Sequence, residues 1–368
     1  MKRFSKYLLT ALAFWLLLFL GWEWWYSFPK VRWTPISFPQ TQEEKIDSVL
    51  VQSLSEYLIP GMAAGIIEEG KVTYLKAFGF ENLETKDSLT LQSLIPVASV
   101  SKIFTALTLA NYGLEKGIGI DTPVNSLLPT GKKLSSEYDH ITLQQLLTHT
   151  SGLSDRRGIG TIWRGNAQRD LSNLPSQLNL PNLQQREFKY ADANFDLIGY
   201  LVETIENQPF EVISQSRILT VGGMENGEYV TQWPLDSLAI SGYQRTLVWK
   251  RIEEKALVLE RFPSPSSGLV LSSADLAKIL LHLSREEMGI FGDELDWLKG
   301  KTDTPAGFQS IVINDIAFIG HFGGQGGHSS LVIFSPELDL AFFLVSNAQD
   351  KSDFRKAVAG EVLKIKSK

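Results

Sequence analysis

Segments that read as strands open and close this 368-residue chain, and segments that read as helices fill its middle. Met62 to Glu69 and Lys71 to Phe78, joined at Glu69-Gly70, have the mixed apolar content of a β-hairpin covered on one face. Near the other end, Phe308 to Ile313, Ile316 to His321, His328 to Phe334 and Leu338 to Ser346 read as successive antiparallel strands, turning at Asn314-Asp315 and Pro336-Glu337. One sheet must then be assembled from both ends around a helical insertion. The expected fold class is mixed α/β (α+β), a mainly antiparallel sheet with flanking helices plus an inserted all-helical subdomain.

The helical signals are local. Thr41 to Leu58 has helical apolar spacing, Thr142 to Gln145 is a capping box opening a helix through Leu147, and Ala193 to Glu206 is amphipathic and closed by Asn207 and Pro209. A Ser/Pro/Gly-rich loop, Pro263 to Ser273, leads into a helix from Ala274 to Leu283, and Ser352 to Ile365 reads as a final helix. From Leu153 to Arg186, with Trp163, Pro175 and Pro181, the sequence is polar and irregular, which predicts loops and short helices walling a cleft.

The chemistry sits in one apolar stretch. From Ser88 to Leu114 the only charged residue is Lys102, and after Pro96 no breaker occurs until Gly113, as in a mostly buried helix. Ser99 falls at its N-terminus. Lys102 lies on the same face about 4.5 Å along the axis, so its amine can reach the Ser99 hydroxyl. A serine hydroxyl is a poor nucleophile until a base takes its proton, and a lysine serves as base when burial disfavours its charged form. The pattern is loose. It recurs at Ser27 to Lys30, interrupted by Pro29, and a lone lysine on a core helix can simply snorkel its amine to the surface.

A net charge of −6 argues against nucleic acid as a partner, and the absence of cysteine excludes disulfides, thiolate metal sites and thiol nucleophiles. The five histidines (His140, His149, His282, His321, His328) lack the spacing of a metal motif, so no metal or cofactor is expected. Residues 1–28 are a separate object. Lys2, Arg3 and Lys6 precede an uncharged run from Tyr7 to Trp22, and Trp22, Trp24, Trp25 and Tyr26 crowd its far end where a cleavage site would need small residues. An uncleaved single-pass anchor is expected, with a cleaved signal as the alternative. On either reading the chain from Phe28 on lies outside the cytoplasm, after a proline-containing spacer over 29–42.

Four stretches then align in order and spacing with one family. Ala98-Ser99-Val100-Ser101-Lys102 looks like a Ser-x-x-Lys nucleophile motif; Leu146-Leu147-Thr148-His149-Thr150-Ser151-Gly152-Leu153 is nearly word for word a second family segment. Tyr190-Ala191-Asp192 resembles a Tyr-x-Asn motif, and Gly320-His321-Phe322-Gly323-Gly324 stands where a sheet strand carries Lys-Thr-Gly or His-x-Gly. The chain thus resembles the serine β-lactamase and D-alanyl-D-alanine peptidase family, penicillin-binding-protein-like, on its class C and esterase side. The resemblance covers a domain over 43–366, with a helical subdomain about 116–262. It implies Ser99 as nucleophile, Lys102 as its base partner, Tyr190 as proton relay, and the Ser99 and Gly324 N–H groups as an oxyanion hole. It also assigns His149 to bracing the fold. No counterpart of the class A glutamate base is present, so deacylation falls to Tyr190 and Lys102.

Two departures bear on substrate. Asp192 stands where the family usually has asparagine, and Phe322 replaces a threonine whose hydroxyl helps hold a substrate carboxylate. The Phe322 side chain can also point away from the cleft, with Ser329 a candidate replacement hydroxyl, and His321, the remaining group able to carry positive charge, is mostly neutral at pH 7 with an ordinary pKa of about 6.5. Asp192, His321, Gly323 and Gly324 are expected to line the substrate site. The expected function is a membrane-anchored, extracytoplasmic (periplasmic) serine hydrolase, esterase- or peptidase-like, acting on ester, amide or lactam bonds of a small molecule or peptide. Neutral or amine-bearing esters should outpace anionic lactams. The alternatives are a true class C-type β-lactamase or carboxypeptidase, and a non-catalytic wall-peptide or β-lactam sensor.

Overall fold

The computed structural model describes residues 2–155, 170–182, 187–231, 240–259, 261–285, 289–300, 302 and 304–366. Its helices are α1 (Lys2–Trp25), α2 (Gln42–Tyr57), α3 (Ser101–Lys116), α4 (Val124–Leu127), α5 (Leu143–Leu147), α6 (Asp192–Glu206), α7 (Phe210–Ser214), α8 (Ser273–Leu283), α9 (Gly292–Lys299) and α10 (Phe354–Lys366). Its strands are β1 (Gly61–Glu68), β2 (Lys71–Gly79), β3 (Ile95–Pro96), β4 (Glu228–Tyr229), β5 (Tyr243–Arg245), β6 (Ile252–Glu254), β7 (Leu269–Leu271), β8 (Gln309–Ile313), β9 (Ile316–Gln325), β10 (His328–Ser335) and β11 (Leu340–Ser346). Trp163 and most of the irregular stretch around it lie outside the described residues.

The main sheet has the order β2-β1-β11-β10-β9-β8 and its pairings are antiparallel, so the two ends of the sequence do meet in one sheet. Its inner strands β1, β10 and β11 are covered on both faces rather than one, whereas the edge strands β2 and β8 keep exposed residues. Along β1, β10 and β11, Ala63, Ile67, Val332, Phe334, Phe343 and Val345 pack toward α3, α6 and α8. The alternate residues Met62, Ala64, Ile66, Leu331, Ile333, Phe342 and Leu344 pack toward α2 and α10. Double coverage is why β10 and β11 read as almost unbroken apolar runs instead of alternating ones.

The caps seen in the sequence form as chemistry requires. Thr142 accepts the Gln145 N–H at 3.2 Å while the Gln145 side chain accepts the Thr142 N–H at 3.1 Å, and Asn207 ends α6 in the left-handed conformation. The helix α9 and the three-stranded sheet β3-β7-β4 are absent from the sequence reading. In particular β7 lies inside the Ser/Pro/Gly-rich loop, where its three residues pair with β3 and β4. Strands this short are defined by distant partners, not by local periodicity.

Candidate active site

The nucleophile candidate is presented by a strained turn. Ala98 has φ 49, a left-handed conformation that costs a residue with a Cβ about 1–2 kcal/mol, and it starts a 3₁₀ turn, Ala98–Val100, that runs into α3. Neighbours fix the turn from both sides. The Val97 N–H donates to the Leu269 carbonyl at 3.1 Å, and the Ser330 hydroxyl donates to the Val97 carbonyl at 2.7 Å. The Ser101 hydroxyl ties the two, donating to the Ala98 carbonyl at 2.6 Å and accepting the Leu269 N–H at 3.0 Å. Ser99 is left partly exposed at the start of α3.

One helical turn on, Lys102 is fully buried and all three protons of its ammonium are used. Nζ donates to Ser99 Oγ at 3.3 Å, to Asp192 Oδ1 at 2.6 Å and to the Ser266 carbonyl at 2.9 Å. It also lies 4.9 Å from the Tyr190 ring centroid and 5.6 Å from that of Phe195. Burial alone would neutralise this amine, as the sequence reading expects. The structure reverses the sign: desolvation lowers the Lys102 pKa, but the Asp192 carboxylate and Tyr190 outweigh it, so Lys102 is held above its ordinary value and rests as the ammonium.

Asp192 opens α6, and the residues before it carry Tyr190, 37% exposed at the mouth. The start of α6 is braced by the Thr-His-Thr-Ser segment. His149 Nδ1 accepts the Ala191 N–H at 3.3 Å and sits 3.1 Å from Asn194 Nδ2, while Ser151 donates to Asn194 Oδ1 at 2.5 Å. An Nδ1 that accepts cannot carry a proton, and burial pushes the His149 pKa down to about 4. His149 also stacks on Tyr190 at 4.4 Å between centroids, so it positions that ring as a neutral group.

The fourth stretch lies on β9, which runs to Gln325, four residues beyond the end its periodicity suggests. β8 covers β9 only through Gly320, and among the described residues no strand pairs with the outer edge of the remainder. Asn314 and Asp315, both at positive φ, close a two-residue turn that makes Ile313 and Ile316 mutually bonded. Counting by twos, His321 and Gly323 direct their backbone groups toward β10, and Phe322 and Gly324 direct theirs to that outer edge. The Gly324 N–H therefore faces the cleft side, as an oxyanion donor would need. The same peptide unit carries the Gly323 carbonyl, which accepts from the Arg355 guanidinium.

Of the expectations for this strand and its neighbour β10, the neutral His321 and the Phe322 side chain turned from the cleft agree with the structure, and Ser329 as a replacement hydroxyl is corrected. His321 is 2% exposed, donates from Nδ1 to the Phe322 carbonyl at 2.5 Å, and is kept neutral by burial, its pKa near 3; it supplies no positive charge. Phe322 packs with the α2 and α10 cluster, under the Arg355 guanidinium at 5.1 Å, so its side chain is on the face away from Lys102. Ser329 donates to the Ala348 carbonyl at 2.7 Å and accepts the Asp350 N–H at 2.9 Å, which commits its hydroxyl elsewhere. Gly323 lets the Ser99 turn approach. A Cβ there would strike the Val97 carbonyl and the Ser330 hydroxyl, so its absence lets the Ser99 turn lie against β9.

Residues outside the four motifs complete the site. Behind Lys102, Asp196 pairs with Arg261 at 2.6 Å and accepts the Ser266 N–H at 3.1 Å, fixing the loop whose carbonyl holds Lys102. The one sequence signal was Asp196 itself, a carboxylate in the apolar body of α6, one turn after Asp192. Among the described residues no cluster of side chains suits a metal ion.

Known proteins carry the same plan. The Beta-lactamase family model matches residues 46–365. "Protein flp" of Staphylococcus aureus (strain NCTC 8325 / PS 47) is 26% identical over 171 residues, which are 46% of this chain and 34% of that protein. The chain thus spans about a third of the length of the first curated relatives it matches. A "Beta-lactamase" of Pseudomonas fluorescens is 27% identical over 238 residues, 63% of this chain and 62% of its own. Among solved structures, FmtA from Staphylococcus aureus superposes with a TM-score of 0.71 at 18% identity, covering 90% of this chain and 93% of FmtA. The octameric penicillin-binding protein homologue from Pyrococcus abyssi gives 0.70 at 20% identity, over 88% and 77%. At such identities the two structures speak to the fold alone, whereas the family model takes in all four motif stretches: this chain belongs to the Beta-lactamase family.

Proposed function

We propose that the chain is a membrane-anchored, extracytoplasmic serine hydrolase working through an acyl-serine on ester, amide or lactam bonds. The observation that carries it is the Ser99 hydroxyl 3.3 Å from a fully buried Lys102 whose other two protons are held by Asp192 and Ser266. Before Lys102 takes the Ser99 proton it must release one, and Asp192 Oδ1 is the acceptor in contact. The neutral amine then takes the Ser99 proton as Oγ attacks the carbonyl carbon, and Tyr190 delivers that proton to the leaving group. The Ser99 and Gly324 N–H groups receive the oxyanion. Water cleaves the acyl ester through the same groups in reverse.

The anchor is α1, whose segment Lys6–Trp25 has mean hydropathy 1.5 and is 6% buried in the protein. The catalytic unit is the region over 43–366. Short neutral or amine-bearing esters and amides are the favoured substrates, because the neutral His321 offers an anionic ligand no charge. Asp192 adds little repulsion of its own, since Lys102 sits on it.

Incubation with a fluorophosphonate or a penicillin, followed by intact-protein mass, should show one adduct per chain, located on the peptide containing Ser99. No adduct, or one elsewhere, ends this reading. The fully committed ammonium also favours a second reading, a sensor that acylates without turning over. A penicillin adduct that outlasts hours of dilution would select it.

The pH profile tests the proton inventory. In Asp192→Asn the carboxylate that raises the Lys102 pKa is gone, so burial is opposed by Tyr190 alone and the pKa falls from its wild-type value. The neutral amine then exists at lower pH, so the rising limb of kcat/KM for a p-nitrophenyl ester should move acid-ward. An unmoved limb assigns that titration to another group.

A further inference from the structure

The tip of the β5–β6 hairpin, Leu247-Val248-Trp249, presents apolar side chains to solvent, Leu247 82% exposed, Val248 45% and Trp249 44%. It does so against the end of α1. We propose that this turn is a second membrane contact, entering the outer lipid interface beside the anchor and fixing the tilt of the catalytic domain. The proposal rests on reading α1 as an uncleaved anchor.

Glu23 is the one charge at the outer end of the apolar helix, and it is 3% exposed. Its carboxylate accepts three successive amides of the turn, those of Leu247 at 2.7 Å, Val248 at 3.1 Å and Trp249 at 3.2 Å. An anion at a membrane boundary needs such partners, and the turn supplies them as a nest of N–H groups. The Trp249 indole N–H donates to the Leu20 carbonyl at 3.0 Å. That contact sets the depth, because Leu20 lies five residues before Trp25, about 7.5 Å down the helix axis at ~1.5 Å per residue. If α1 spans, the turn is level with residues inside the aromatic belt.

The attachment is stiff. Trp24 meets Trp249 edge to face at 5.4 Å, Arg251 lies over the Trp24 ring at 4.2 Å, and its guanidinium donates to the Ser27 hydroxyl and carbonyl, both at 2.7 Å. On the domain side, the hairpin is rooted by Tyr243, fully buried, whose hydroxyl accepts the Leu83 N–H at 2.8 Å. A rigid tip of Leu, Val and Trp, level with the helix interior, fits a phospholipid interface.

The chain has no cysteine, so single cysteines can be introduced cleanly. Full-length Leu247→Cys, Trp22→Cys and Lys132→Cys proteins would carry an NBD fluorophore in phosphatidylcholine nanodiscs, with or without brominated acyl chains. Expected are blue-shifted emission and at least twofold quenching by bromolipid at positions 247 and 22, with neither at 132. Quenching at 22 but not at 247 overturns the proposal and leaves the anchor standing. Quenching at neither removes the anchor and the proposal together. A fluorophore at 247 shielded from aqueous iodide yet untouched by bromolipid means that a protein covers the turn, which also overturns it.

Discussion

Ser99→Ala and Lys102→Ala are each expected to abolish covalent labelling and to lower kcat/KM for a p-nitrophenyl ester by on the order of 10⁴-fold or more, with the fold retained. In the proposed mechanism nucleophile and base act as one unit, so losing either should remove nearly the whole effect and the double variant should be scarcely worse. The serine should be structurally silent because its hydroxyl is partly exposed and the turn is held by the backbone of Val97 and by Ser101. Lys102→Ala leaves Asp192 without its ammonium, but that side chain is 42% exposed and water can replace the partner. Circular dichroism and melting curves check folding. Labelling that persists in Ser99→Ala would place the nucleophile elsewhere.

Arg261→Leu is expected to be the most destabilising of the site variants, by about 3–5 kcal/mol, since it strands a buried carboxylate. The side chains of Arg261 and Asp196 are 9% and 3% exposed, so water cannot stand in. Burial raises the Asp196 pKa and Arg261 pulls it back. Without the arginine, the folded-state pKa climbs further above the unfolded value. A carboxyl shifted that way favours the folded state at low pH and loses that favour as pH rises through its folded pKa. Denaturant titrations should therefore show a larger deficit against wild type at about pH 8 than at about pH 5. Asp196→Leu combined with Arg261→Leu should recover much of the loss. A single variant as stable as wild type at both pH values would show the pair to be dispensable.

What could be read in the sequence was what neighbours in sequence decide. The Thr142 capping box, the Asn207 stop, the serine-to-lysine spacing on α3 and the strands at both ends depend on residues a few positions apart. The short strands β3, β4 and β7 were hidden because each exists only through distant pairing. Phe322 could not be assigned a face while β9 was thought to stop at His321, because direction depends on the count from the Asn314-Asp315 turn. The charge state of Lys102 required two opposed effects to be weighed. Burial was legible from the apolar run around it, but the 2.6 Å approach of Asp192 comes from a helix 90 residues away.

The order of strands also sets a timetable. β11 lies between β1 and β10, so the first hairpin has no inner neighbour until the last of the described strands exists. From Glu68 to Leu340 roughly 270 residues must be made, which at ~5–20 residues per second takes on the order of 15 to 60 seconds. During that interval the backbone edge of β1 that pairs with β11 has no partner strand. Ser99 emerges early, yet the strand that abuts its turn, β9, comes more than 200 positions later. A chain that stops short of β11 would leave the facing backbone edges of β1 and β10 both unpaired, which makes β11 the keystone of the sheet.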